Sequence, residues 1–403
     1  PGGLVDRMTE IRGFNEEEIK VCLEQMFPED QALLGWMLSQ VQADRALYLM
    51  CTVPAFCRLT GMALGHLWRS RTGPQDAELW PPRTLCELYS WYFRMALSGE
   101  GQEKGKASPR IEQVAHGGRK MVGTLGRLAF HGLLKKKYVF YEQDMKAFGV
   151  DLALLQGAPC SCFLQREETL ASSVAYCFTH LSLQEFVAAA YYYGASRRAI
   201  FDLFTESGVS WPRLGFLTHF RSAAQRAMQA EDGRLDVFLR FLSGLLSPRV
   251  NALLAGSLLA QGEHQAYRTQ VAELLQGCLR PDAAVCARAI NVLHCLHELQ
   301  HTELARSVEE AMESGALARL TGPAHRAALA YLLQVSDACA QEANLSLSLS
   351  QGVLQSLLPQ LLYCRKLRWI PGQGAGAGEG AEERAEAVPS PPPSFSVSLL
   401  GLP

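Results

Sequence analysis

Apolar residues recur at helical spacing over most of this chain and alternate over only a few short stretches. Near the start, Phe14-Asn15-Glu16-Glu17-Glu18-Ile19 spells a helix entry. Asn15 is placed as an N-cap, Glu18 completes a capping box, and Phe14 with Ile19 forms a hydrophobic staple. Pro54 fits the first turn of a helix through Phe56, Leu59 and Leu67, where its missing N–H costs nothing. Trp80-Pro81-Pro82 interrupts the pattern, and a further helix runs from Leu85 to Leu97. Ser98 to Lys120 is polar with five glycines and reads as a mobile loop. Met121, Leu125, Leu128, Ala129 and Leu133 then return to helical spacing. Tyr138–Tyr141, Cys162–Gln165 and Val174–Phe178 read as short strands. Helices followed by a strand pair predict a winged helix.

From Ser196 to about Leu345 the pattern is helical almost throughout. Leu235, Phe238, Leu239, Leu242, Leu245 and Leu246 follow one stripe, and Val271, Leu274, Leu275, Cys278 and Leu279 another. Turns fall at Ser247-Pro248, Arg280-Pro281 and Gly322-Pro323. The expectation is a stack of antiparallel helices resembling a solenoid. Trp369 to Pro403 holds six Gly and six Pro in 35 residues, which predicts disorder. The predicted fold is therefore mainly α: a helical domain, a winged-helix domain with a short β hairpin, a stacked helical domain, and a disordered tail.

Composition narrows the function classes. The 403 residues carry 38 Lys plus Arg against 40 Asp plus Glu, a net charge of -2, so no chain-wide basic field favours nucleic acid. No run of about 18 apolar residues spans a bilayer; Val250 to Ala260 is short and broken by Asn251 and Ser257. Twelve cysteines, among them Cys22, Cys51 and Cys339, sit largely in apolar helical settings and read as reduced thiols. No signal peptide is legible, and the missing initiator Met suggests a fragment.

Several motifs invite chemistry. His297-Glu298-Leu299-Gln300-His301 matches the zinc-protease pattern H-E-x-x-H. No metzincin extension follows, since Leu304 and Ser307 stand where a Gly and a His belong. On a helical wheel, His294, His297 and His301 centre roughly 140° from the stripe of Val285, Ala289, Val292, Leu293, Leu296 and Leu299. That places them on a solvated face, not in a zinc cleft. Gly101–Ala107 approaches a P-loop, but Glu100 and Ala107 occupy the positions of its first Gly and its final Ser or Thr. Gly372 to Gly380 alternate without the strand and helix of a dinucleotide site. Lys135-Lys136-Lys137 complements a helix C-terminus. Cys160, Cys162, Cys177 and His180 lack the spacing of a structural zinc and read as buried thiols. No metal ligands are therefore assigned.

The sharpest local pattern is Phe178-Thr-His180-Leu-Ser182-Leu-Gln-Glu185-Phe186. Ser182 and Glu185 are placed as a capping box, with Leu181 and Phe186 as its staple. His180 stands where the chain enters this helix N-terminus, a position that favours phosphate. The competing reading is a core histidine packed between Phe178 and the helix.

The segment Phe178-Thr-His-Leu-Ser-Leu-Gln-Glu-Phe-Val-Ala-Ala-Ala190 resembles the winged-helix signature of NACHT-type NOD-like receptors. Thr9–Glu17 and Cys51-Thr-Val-Pro54-Ala-Phe-Cys57 resemble that family's first helical domain. Tyr191–Leu345 is similar to its second helical domain, and Leu358–Leu367 to the entry into its leucine-rich repeats. The resemblance implies a first helical domain at 6–75, a winged helix at 84–195, a second helical domain at 196–348, a repeat start at 351–368, and the tail at 369–403. It also implies a cytoplasmic switch gated by ADP and ATP, with Mg²⁺, that dampens innate immune and NF-kappa-B signalling. His180 would contact the β-phosphate of ADP and Pro54 would pack near the adenine. The implied partners are innate immune signalling proteins and further copies of the receptor; no specific DNA partner is implied. Because the chain carries no Walker A or Walker B pattern, it is expected to bind no cofactor and catalyse no reaction by itself. The alternative is a constitutive helical scaffold without nucleotide control.

Overall fold

The computed structural model describes residues 13–70, 81–98, 111–150, 162–168, 174–197, 199, 201–204, 215–255, 258–260, 262, 264–279, 287–314, 323–336, 343–344, 357, 366–369 and 395–398. Thr9, the loop at 101–107, Cys160, Cys339, most of 351–368 and Gly372–Gly380 lie outside the described residues. The chain divides into two compact units, Pro1–Leu128 with Lys137–Gln184 and Ala252–Gln261, and Ala129–Lys136 with Glu185–Asn251 and Gly262–Pro403.

The first unit opens with four helices: α1 (Glu16–Met26), α2 (Gln31–Ala43), α3 (Arg45–Cys51) and α4 (Pro54–Ser70). The expected capping box forms: Glu18 N–H donates to Asn15 Oδ1 at 2.9 Å and Asn15 N–H donates to Glu18 Oε2 at 2.8 Å. Asp30 and Asp44 cap α2 and α3 in the same way, accepting from Leu33 and from Ala46 and Leu47. Ile19, Leu23, Met37, Leu47, Cys57 and Leu64 form the core these helices share. Close approach of α4 depends on Gly61 and Gly65. A Cβ at Gly61 would stand 2.9 Å from Leu23 Cδ2, and one at Gly65 2.8 Å from the Phe27 ring.

Thr84 caps α5 (Leu85–Ser98), its Oγ1 accepting from Glu87 N–H at 3.2 Å. The long α6 (Ile111–Leu134) corrects the expected loop at Ser98–Lys120. Its helix begins at Ile111, so the two glycines at 117 and 118 are accommodated inside a helix that the apolar residues after Lys120 already stabilise. A three-stranded antiparallel sheet follows in the order β1-β3-β2, from Val139–Tyr141, Val174–Phe178 and Leu164–Glu168. Tyr176 pairs with Phe140 on one side and Arg166 on the other. The short α7 (Glu142–Ala147) follows β1, and Lys137 Nζ lies 2.6 Å from Asp144 Oδ1. Helices with this sheet form the expected winged helix. Beyond it, α8 spans Leu181–Ala195.

In the second unit, α9 (Gly215–Gln229), α10 (Asp236–Gly244), α11 (Pro248–Leu254), α12 (Arg268–Gly277), α13 (Ala287–Glu298), α14 (Glu303–Glu313) and α15 (Pro323–Val335) follow in order. The stripe from Leu235 to Leu246 is buried as its spacing predicts. Phe130, Tyr192, Phe204 and Phe238 assemble an aromatic core, with ring centroids 5.3–5.9 Å apart for the pairs of Phe130 and Tyr192 with the other rings. Ser247 ends one helix and starts the next, its Oγ accepting from Val250 N–H at 3.2 Å, with Pro248 at the first helical position. Among the described residues no single helix is long and apolar enough to cross a membrane; α10 and α11 together are apolar but meet at 78°.

One part of the tail departs from the expectation of disorder. Phe395–Ser398 forms β6 and pairs antiparallel with β5 (Lys366–Trp369), which lies parallel to β4 (Ala343–Asn344). Proline and glycine content hid a local alternation, Ser-Phe-Ser-Val-Ser, that has the two-residue period of a strand. The rest of 369–403 lies outside the described residues.

Candidate functional site

The site is built within the first unit around His180. Strand β3 ends at Phe178 and α8 begins at Leu181, so His180 occupies the junction. That junction is tied to the start of β2: Thr179 N–H donates to the Phe163 carbonyl at 3.0 Å and Thr179 Oγ1 to the Cys162 carbonyl at 3.4 Å. Tyr92 also donates to the Cys162 carbonyl, at 2.6 Å. The backbone carrying His180 is therefore held from two sides.

The capping box expected at Ser182 and Glu185 does not form. The helix starts two residues earlier, with Leu183 and Gln184 N–H groups both directed at the His180 carbonyl. His180 itself caps the helix: Ser182 N–H donates to His180 Nδ1 at 3.3 Å. Ser182 is buried inside the first turn, and its Oγ bonds both His180 Nδ1 and Tyr89 Oη, the latter at 2.5 Å. Tertiary burial of Ser182 and Glu185 overrides their local capping preference, because the hydroxyl finds a partner on α5. Tyr89 Oη also lies 3.3 Å from Nδ1.

These contacts fix the chemistry of the imidazole. A backbone N–H only donates, so Nδ1 accepts from Ser182 and the ring proton resides on Nε2. Burial lowers the His180 pKa and favours the neutral ring. His180 therefore presents a neutral Nε2–H donor whose direction is set by the contacts of Nδ1 with Tyr89 and Ser182, since the bond made by one ring nitrogen fixes the role of the other.

Pro54 belongs to the same neighbourhood. It is exposed at the first position of α4, as its sequence context predicts. Phe56, two residues on, packs edge-on against the His180 ring at 5.6 Å and against Tyr89 at 6.1 Å. The start of α4 and the β3–α8 junction are thereby joined through one aromatic ring. The core-histidine alternative describes half of the residue: its ring is half-buried against Phe56, while Nδ1 serves the polar cluster. Tyr89 carried no signal of its own in the sequence, and Phe56 was legible only as an apolar position of the helix after Pro54 and part of the motif at 51–57, not as a neighbour of His180. Ser182 carried one, its place beside the helix start, but read as a different bond.

The other motifs resolve differently. The histidines of α13 are not on a solvated face: His294 and His297 lie half-buried against the Tyr331 ring, at 5.1 and 6.2 Å. The helical wheel counted one buried side, whereas α10 and α15 both pack on α13, leaving Glu298 fully buried and bonded by Arg240 at 3.2 Å. The helix ends at Glu298; Gln300 takes φ 58° and His301 N–H closes back on the Leu296 carbonyl at 2.9 Å. His297 and His301 therefore do not share one helical face, and Glu298 is engaged elsewhere. Cys162 and Cys177 are half-buried rather than buried, with burial raising the Cys177 pKa. Lys136 and Lys137 pair with Asp232 and Asp144, each at 2.6 Å. Among the described residues no cluster of three or more His, Cys, Asp or Glu is arranged to hold a metal.

A winged helix followed along the chain by a run of packed helices is the architecture of a NOD-like receptor's regulatory region, and the comparisons with known proteins agree. The NOD2 winged helix domain family matches residues 120–178, and the NLRC4 helical domain HD2 family matches residues 180–307. The chain belongs to the NACHT-type NOD-like receptors. It is 82% identical over 368 residues to mouse protein NLRC3, covering 91% of this chain and 35% of that protein. It is 27% identical over 304 residues to human protein NLRC5, covering 74% of this chain and 14% of the relative. Human nucleotide-binding oligomerization domain-containing protein 1 is 28% identical over 187 residues, covering 44% of this chain and 19% of that protein. The chain thus spans about a third, or less, of these relatives.

Proposed function

We propose that this regulatory region is the half of an ADP/ATP-gated switch that senses the diphosphate through His180. The observation that carries the reading is the Ser182 N–H donation to His180 Nδ1, which leaves Nε2 to carry the proton of a neutral ring. A neutral, pre-oriented donor suits a phosphate oxygen, and it needs no change of protonation to bind or release one. Pro54 is exposed at the start of α4, two residues before the Phe56 ring that packs on His180, which supports its assignment to the adenine. Bound Mg²⁺-nucleotide would supply the phosphates and the charge to be recognised; the chain itself supplies one donor and an apolar contact.

By itself the region catalyses nothing, because the sequence contains no Walker A lysine and no Walker B acid. Its role is to bias a closed state: a hydrogen bond made only in that state stabilises it by its own free energy and no more. We assign it to a cytoplasmic receptor that dampens innate immune and NF-kappa-B signalling, acting through signalling proteins and through self-association. The test is nucleotide content after purification of a receptor that contains this region together with a nucleotide-binding domain. His180→Ala should lower the retained ADP severalfold. Unchanged ADP content would sink the switch reading and leave a constitutive scaffold.

A further inference from the structure

Helices α13, α14 and α15 of the second unit line an open cleft of about 420 Å³ that plays no part in the nucleotide reading. Its size falls in the range of about 300–1,000 Å³ typical of small-molecule sites. Its lining includes the apolar side chains of Leu293, Leu296, Leu304, Leu332 and Val335 and the polar groups of His297, His301, Arg306, Glu309 and Ser336. Arg306 lies exposed and forms no ion pair among the described residues. Glu309 accepts from Ser336 Oγ at 2.9 Å, which ties the one lining carboxylate to α15. His301 Nδ1 is buried without a hydrogen-bond partner among the described residues, although its ring lies only partly covered beside Glu303. A buried ring nitrogen left unbonded is costly and is relieved by an incoming polar group.

We propose that this cavity binds a small monocarboxylate with a compact apolar body. The apolar lining accepts the body. The guanidinium of Arg306 matches a carboxylate in a planar, two-bond geometry that an ammonium could not. Glu309 is bonded to Ser336 and the Glu303 carboxylate lies 3.8 Å from His301 Nε2, whereas the Arg306 guanidinium has no ion-pair partner among the described residues, so the charge left unmatched at the site is positive. A ligand seated there would touch α13, α14 and α15 together.

The experiment uses the full chain and 4-phenylbutyrate as the probe, with 4-phenylbutanamide and 4-phenylbutylamine as neutral and cationic controls of the same shape. Binding is followed by titration calorimetry and by the methyl resonances of Leu293, Leu332 and Val335. The carboxylate should bind saturably at one site, shift those methyls, and bind about tenfold tighter than the amide. Arg306→Gln, an exposed substitution that leaves the fold intact, should remove about that tenfold preference while leaving the amide unchanged. Leu332→Phe, which fills the cavity, should abolish binding of both. Equal affinity for acid and amide, a preference for the amine, no saturable binding, or an Arg306→Gln variant that binds the acid normally would each overturn the proposal.

Discussion

Glu185 offers the most direct test of the packing around α8. It lies one turn into the helix and is only 8% exposed. Burial pushes its carboxyl from an ordinary 4.5 up to about 8; the Arg240 guanidinium opposes the rise and the Asp236 carboxylate adds to it. Its folded value lies above its unfolded one. The stability it contributes is therefore complete below about pH 4.5 and is lost as pH rises through about 8. At about 1.4 kcal/mol per pH unit, the interval from 4.5 to about 8 corresponds to roughly 5 kcal/mol. Structural relaxation and water entry reduce such penalties, so about 3 kcal/mol is the expected loss on full ionisation. Glu185→Gln keeps the shape and removes the titration. Urea unfolding followed by circular dichroism should place the variant within about 1 kcal/mol of the parent near pH 5, and about 3 kcal/mol above it near pH 9. A difference that stays constant across this range refutes the reasoning, because it would mean that the carboxylate is equally solvated in both states.

The remaining predictions are briefer. His180 carries the opposite sign: burial holds its pKa below 6.5, so its contribution to stability is present above about 6.5 and is lost as pH falls through the lowered folded value, which His180→Phe should abolish in acid-unfolding curves. In a receptor with a nucleotide-binding domain, Tyr89→Phe and Ser182→Ala should each lower retained ADP by less than His180→Ala does, since they orient the donor without being it; equal or greater loss would show that they act through folding alone. The chain by itself should bind ADP no tighter than the millimolar range, because one charged hydrogen bond contributes about 1.5–3 kcal/mol; micromolar binding by calorimetry would contradict this. Gly65→Val should lower the stability of the first unit by about 1–3 kcal/mol in thermal melts, since its Cβ meets the Phe27 ring at 2.8 Å.

The failures of sequence reading cluster where one residue has two possible partners. Ser182 and Glu185 match a capping box in the chain, yet the serine bonds Tyr89, which is 93 residues away, and the glutamate is buried. A capping preference of about 1 kcal/mol yields to a buried hydroxyl pair and to the packing that accompanies it. Asn15 and Glu18 match the same pattern and do form it, because both are exposed and nothing competes for them. The polar stretch before Lys120 hid ten residues of helix, for local composition does not register the stability that a long helix gains from its apolar later turns.

The sequence by itself determined most of the elements and the family, though not the first turns of α6 or the strand at Phe395–Ser398. Apolar spacing located the stripes of α10 and α12, alternation located the three strands of the wing, and the segment around Phe178–Ala190 carried the receptor signature. These are properties of neighbours along the chain, so the chain displays them. Only the tertiary structure decided what α13 faces, which group turns His180 into an Nε2–H donor, and how Pro54 comes to share its surroundings. Periodicity identifies one buried side of a helix but not a second, and α13 has two, against α10 and α15. The orientation of His180 likewise depends on Phe56 and Tyr89, which share its site because α4, α5 and the β3–α8 junction pack on a common core.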